Sequence, residues 1–224
     1  MRYYKNIKIV SDYIKRKIEE GEHQEQDFKF EISDVRKIAR SLSAFSNTDG
    51  GRLLVGVKDN GIIAGVRTDE EYYMIESAAS LYCKPEVTFE YETWIIEGKT
   101  VFEVIIPKSN EELVKAPDKS GKYKVYLRRD DENILANGIY VLADQLKKQK
   151  KEIVLQYSDA EKNLLDFLEQ HNAVTFADYR KQKNLNYYET RDVFVKLLAW
   201  NVIQMDYDGK NYYYFLVDDM DLPG

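Results

Sequence analysis

Lys122-Tyr-Lys-Val-Tyr-Leu-Arg-Arg129 is the segment whose residue types and spacing most directly suggest chemistry. Alternate residues of an extended chain share a face, so Lys122, Lys124, Tyr126 and Arg128 are expected on one side. Three cations and an aromatic ring at that spacing can neutralise phosphates and stack a base. The same pattern suits an edge strand whose lysines discourage edge-to-edge pairing.

A second segment, SAFSNTDGGRLLVGVKDNG from Ser43 to Gly61, contains a glycine-rich corner. A phosphate cradle normally precedes a helix, where free N–H groups and the positive end of the dipole face the anion. Asn47 to Gly51 follows a helical pattern, where free carbonyls and the negative end point outward. No GxxxxGKS or GxxxxGKT occurs in the chain, so ATP is not expected as a ligand. The corner reads as a helix C-cap: Gly50 or Gly51 takes positive φ, and Asn47 or Asp49 bonds to nearby backbone.

The elements that must position these residues follow from periodicity. Tyr3 to Glu20 reads as an amphipathic helix ended by Gly21. Phe28, Phe30 and Ile32 alternate with Asp27, Lys29 and Glu31, giving a strand with one polar face. Val35, Ile38, Ala39, Leu42 and Phe45 recur at helical spacing after Ser33 as N-cap. Leu53 to Val57 suits a buried strand, and Asp59-Asn60-Gly61 a turn into a return strand at Ile62–Ala64. Residues 69–82 read as a helix. Val87–Ile96 and Lys99–Ile106 read as a hairpin, Tyr123–Arg128 as a strand and Tyr140–Lys150 as a closing helix. A first unit over residues 1–150 is therefore expected, in the α+β class with a mixed sheet.

Residues 151–224 have a different rhythm. Ser158 and Glu161 have capping-box spacing before Leu164, Leu165 and Leu168. Thr175 opens a second helix. Asn186 opens a third, with Val193, Phe194, Leu197 and Leu198 as its apolar stripe. Val202–Tyr207 and Tyr212–Val217 flank Asp208-Gly209, a strong hairpin signal. Three helices followed by a hairpin is the order of a small winged helix-turn-helix domain. In that arrangement the third helix enters the DNA major groove. Arg180, Lys181 and Lys183 lie on its approach, Tyr187, Tyr188, Arg191 and Lys196 on the helix, and Lys210 at the wing tip. Opposing them are Glu189, Asp192, Asp206, Asp208 and the DDMD tail.

The balance of charge limits how strongly this unit alone can hold DNA. Residues 151–224 carry 8 Lys+Arg against 13 Asp+Glu, while residues 1–150 carry 25 against 26. Phosphate neutralisation dominates DNA affinity, so the acidic unit also suits a homodimer contact or a protein partner. The chain has 44% hydrophobic residues and one cysteine, Cys83, which excludes a disulfide framework and a cysteine-rich zinc site. There is no apolar run long enough to span a membrane and no signal-peptide core. A cytoplasmic protein is expected.

GEHQEQDFKFE, SAFSNTDGGRLLVGVKDNGIIAGV and KVYLRRDDENILAN, in this order, resemble the Alba-like domain of the Schlafen family and its bacterial relatives. The resemblance covers roughly residues 20–145 and implies an AlbA_2-type fold, frequently followed by a helix-turn-helix in bacterial transcriptional regulators. Some Schlafen proteins are ribonucleases that use three acidic residues and a divalent metal. The resemblance places Glu22, Asp27 and Asp59 in those positions, with Mg²⁺ or Mn²⁺ as the metal that would activate water. Asp27 stands where the nucleases have glutamate, one methylene longer. Three readings result: a nucleic-acid-binding regulator acting on DNA more than RNA and needing no cofactor, a metal-dependent endoribonuclease, and a protein-interaction module. The first is the leading expectation, so an enzyme is not the favoured outcome.

Overall fold

The structure, a computed structural model, describes residues 7–9, 12–149 and 157–217. The DDMD tail lies outside them. The chain divides into two units, Met1–Ala136 and Asn137–Gly224.

The first unit contains β1 (Ile7–Ile9), α1 (Asp12–Glu19), β2 (Gln26–Lys29), α2 (Val35–Asn47), β3 (Gly51–Val55), α3 (Glu70–Leu81), β4 (Glu90–Ile96), β5 (Lys99–Ile106), β6 (Lys115–Pro117), β7 (Tyr123–Arg129) and β8 (Glu132–Leu135). Five strands form a mixed sheet in the order β1-β4-β5-β3-β2, with β1–β4 and β2–β3 parallel and the inner pairs antiparallel. Alternation along the strands gives the sheet two buried faces. Leu53, Val55, Phe102, Val104 and Ile106 pack with α2 and α3. Phe28, Leu54, Trp94, Ile96 and Val101 pack with Ile14 and Ile18 of α1.

The second sheet, β6-β7-β8, is antiparallel. Helix α2 contacts strands of both sheets, and its C-terminal half, Ser41 to Asn47, is buried all round. A helix inside a core needs small or apolar residues on every side, which explains the Ser-Leu-Ser-Ala-Phe-Ser run. Its N-cap is Asp34, whose carboxylate accepts from the Arg36 and Lys37 N–H groups. That is one residue later than the serine expected.

Several local expectations change. The segment before α1 contributes a strand where a helix was expected, because Ile7 to Ile9 pairs with Thr93 to Ile95 of β4. Ile62–Ala64 forms no strand; a single bridge joins Ile63 to Val57. Both faces of β2 are buried, so Asp27 lies in the interior while Phe30, just past the strand, is exposed.

The second unit contains α4 (Gly138–Lys148), α5 (Asp159–His171), β9 (Ala173–Thr175), α6 (Phe176–Lys183), α7 (Tyr187–Ala199), β10 (Ile203–Tyr207) and β11 (Tyr212–Leu216). The sequence assigns α4 to the first unit; in the structure it packs on α7 and belongs with the second. Its N-cap Asn137 accepts from the Tyr140 N–H. The capping box of Ser158 and Glu161 starts α5. Strand β9 joins the hairpin to give the order β10-β11-β9. Leu164, Phe167, Leu168, Phe194, Leu197 and Tyr214 form the centre of this unit's core.

Candidate functional site

The glycine corner is a packed joint. A Cβ on Gly50 (φ +78°) would stand 2.8 Å from the Ile106 carbonyl, and one on Gly51 (φ +150°) 2.5 Å from Cδ1 of Phe45. The Gly50 N–H closes the end of α2 by donating to the Phe45 carbonyl at 2.9 Å. Asn47 acts at longer range than the expected local turn bond. Its Nδ2 donates to the carbonyls of Val114 (2.8 Å) and Tyr126 (2.9 Å), and its Oδ1 accepts from the Val114 N–H at 2.7 Å. One side chain thus ties α2 to the second sheet. Asp49 accepts from Gln24 and pairs with Lys108. The side chains of Asn47, Thr48 and Asp49 all bond within the protein.

The candidate carboxylates separate into a pair and an outlier. Glu22 accepts from the Phe28 N–H at 2.9 Å. Burial, then the hydrogen bond and charge of neighbouring Asp27, push its carboxyl up to about 7. Asp27 is buried and has Lys29 Nζ 2.6 Å from one oxygen and Arg128 Nη2 3.6 Å from the other. Asp59 is exposed in the turn after β3. Among the described residues, no three His, Cys, Asp or Glu side chains are grouped to hold a metal. Two cations at Asp27 stand against the accumulation of oxygen donors that Mg²⁺ or Mn²⁺ requires. The residues as arranged do not fit the three-carboxylate site.

The basic strand is also divided. Lys122 and Lys124 are exposed at the start of β7. Tyr126 and Arg128 are buried, a correction to the expectation that all four share an outer face. Tyr126 packs in the core beside α2. Arg128 donates to the carbonyls of Gln26 (3.2 Å) and His23 (3.4 Å) and to Asn133 Oδ1 (3.1 Å), and its guanidinium lies 4.9 Å from the centre of the Phe45 ring. The physical reason is that α2 covers this face of β7, leaving the Lys122 end open. Arg40 of α2 reaches that end, donating to the Pro117 carbonyl at 3.3 Å. Arg36, one turn earlier, and Lys37 are exposed. Arg36, Lys37 and Arg40 of α2 thus join Lys122 and Lys124 as candidate phosphate-contacting cations, a basic surface in this sense. Sequence reasoning missed the α2 cations; their signal was Arg36 and Arg40 at i,i+4, off the apolar stripe.

The family model described as Schlafen, AlbA_2 matches residues 22–137. The chain belongs to this family. Its AlbA_2 domain carries the glycine corner, the Glu22–Asp27 pair and the basic surface, and membership points to a nucleic-acid-related function. Among solved structures, the DIP2311 protein from Corynebacterium diphtheriae is similar at 17% identity and a TM-score of 0.41, over 66% of this chain and 30% of that one. This chain thus spans under a third of that protein's length. No curated protein matches. No helix among the described residues is long and apolar enough to cross a membrane.

Beyond the AlbA_2 domain, the candidate DNA-contacting residues lie on α6 and α7. Arg180, Lys181, Lys183 and Tyr187 are exposed. The Arg180 guanidinium lies over the Tyr187 ring at 5.6 Å, and the Lys183 ammonium 5.3 Å from the Phe167 ring centre. Arg191 is half-buried and pairs with Asp192 at 2.6 Å. Lys196 pairs at 3.0 Å with Glu161, the buried carboxylate of the capping box. Ser158 and Lys196 hold that carboxyl below its usual range against the opposing effect of burial. Lys196 is thereby engaged in fastening α5 to α7.

Proposed function

We propose that this protein is a DNA-binding transcriptional regulator whose second unit is a winged helix-turn-helix. The observation that carries the proposal is the α6–α7 surface: every residue from Arg180 to Glu189 is exposed, with three cations and two tyrosines on it. Behind it, Val193, Phe194 and Leu197 are buried. An exposed, basic turn and helix start, backed by a fixed core, is what major-groove entry requires. The β10–β11 hairpin, with β9 as third strand, would be the wing. Phosphate contacts from Lys122, Lys124 and the α2 cations would supply affinity that the acidic second unit lacks. A cytoplasmic location and a homodimer or protein contact through that unit accompany this reading.

The test is fluorescence anisotropy with labelled duplex DNA, single-stranded RNA and tRNA over a salt series, with Mn²⁺ or EDTA. Salt-sensitive binding to duplex DNA, weakened by Lys181→Glu with Lys183→Glu, is the expected result. Absence of duplex binding at low salt would overturn the proposal. Mn²⁺-dependent cleavage of RNA would replace it with the nuclease reading.

A further inference from the structure

The second unit has a cavity of about 420 Å³ bounded by the starts of α4 and α6, by α7 and by β11. Four of its twelve lining residues are aromatic, and Ile139, Leu142 and Ala177 add apolar surface. Phe176 and Tyr187 meet edge to face at 5.4 Å on one side. Tyr212 and Tyr214, two apart on β11, also line the cavity. Tyr214 is held in place by the Asn137 amide, which donates to its hydroxyl at 2.9 Å, and by the Phe194 ring at 4.8 Å. Burial pushes the Tyr212 hydroxyl up to about 12, so this wall stays neutral.

Among the described residues, Arg191 is the one charged side chain in the lining. Its Nε and Nη2 both donate to a single oxygen of Asp192, at 2.9 and 2.6 Å, its guanidinium lies 5.2 Å from the centre of the Tyr188 ring, and Nη1 is the nitrogen outside the Asp192 pair. A cavity of this volume, with ring walls and a single cation, matches the form of a small-molecule site. Ring walls select a flat ring. A guanidinium with an unused donor selects a planar oxyanion.

We propose that this cavity binds a small aromatic carboxylate, with its ring between the Phe176–Tyr187 pair and the β11 tyrosines and its carboxylate on Arg191. Binding rests on the cavity alone and does not depend on the DNA reading. If that reading also holds, the ligand shares Tyr187 with the surface that meets DNA, and it acts as an effector.

The experiment is calorimetric titration of the full chain with indole-3-carboxylate, benzoate, benzamide and cyclohexanecarboxylate. Indole-3-carboxylate and benzoate should bind. Benzamide, which lacks the charge, and cyclohexanecarboxylate, which lacks the flat ring, should bind about tenfold or more weakly. Arg191→Gln should lose affinity for the two aromatic acids by about the same factor. Ala177→Trp, which fills the mouth from the exposed start of α6, should abolish binding and serves if Arg191→Gln fails to fold. No binding of either acid, equal affinity for cyclohexanecarboxylate, or full affinity in a folded variant would overturn the proposal. Loss of DNA binding alone would leave it standing.

Discussion

The Arg128 guanidinium lies 3.6 Å from the Asp27 carboxylate, with both residues about 3% exposed. A residue whose type and spacing suggest a phosphate contact is thus part of the interior, joining β7 to β2. Removing Arg128 leaves the buried Asp27 with Lys29, 2.6 Å away, as its remaining cation, so the cost lies at or below the roughly 3–5 kcal/mol of a fully broken buried pair. Arg128→Met should lower stability by up to that amount in urea unfolding, while Asp27→Asn with Arg128→Met should recover part of the loss. If Arg128→Met keeps full stability but loses nucleic-acid affinity, Arg128 is a contact residue after all.

The glycine corner gives a graded test. Gly51→Ala would place its Cβ 2.5 Å from the Phe45 ring at φ +150° and should cost about 1–3 kcal/mol or more. Gly98, at φ +74° in the β4–β5 turn, has open space where a Cβ would go. Gly98→Asn should cost well under 1 kcal/mol, roughly a few tenths, since Asn tolerates the left-handed region. Equal melting temperatures for the two variants would contradict the packed-joint assignment.

Glu22 should give stability a dependence on pH near neutrality. Its carboxyl is raised from 4.5 to about 7, so the folded protein keeps a proton that the unfolded chain has released. The contribution is fully present below pH 4.5 and is lost as pH rises through about 7. Glu22→Gln, neutral at every pH, should flatten the thermal-stability profile between those limits. Parallel profiles for the two proteins would remove Glu22 as the cause.

Lys37 and Lys124 are exposed and can be altered without touching the core. Lys37→Gln with Lys124→Gln should weaken duplex DNA binding similarly across sequences. It should also reduce the slope of log affinity against log salt by about 2, one unit per phosphate contact. An unchanged slope would remove the basic surface from the interface.

Hydrophobic periodicity made most elements legible: α2, α3, the β4–β5 hairpin and the α5–α7 order are all visible as runs of period 3.6 or 2. Features that depend on distant partners were not. Ile7 to Ile9 is a strand because β4 offers it an edge, 86 residues away in register (Ile7 with Thr93). Alternation in β7 correctly grouped Tyr126 with Arg128 but could not tell that α2 covers them. Strands β6, β8 and β9 have three or four residues each, too few to show a period. At the carboxylates, the resemblance named the residues, but their packing decided the geometry: a buried Arg128 lies in no sequence neighbourhood of Asp27. Sequence also gave no sign of the cavity, since its aromatic walls come from β11 and from the starts of α6 and α7.

The first and second strands in chain order occupy opposite edges of the five-stranded sheet, with α1 crossing one face between them. During synthesis the amino-terminal strand emerges well before β4, the partner it needs, and β2 before β3. The two outermost strands of the sheet thus come from the first part of the chain, and each closes on a partner made after it, β1 on β4 and β2 on β3.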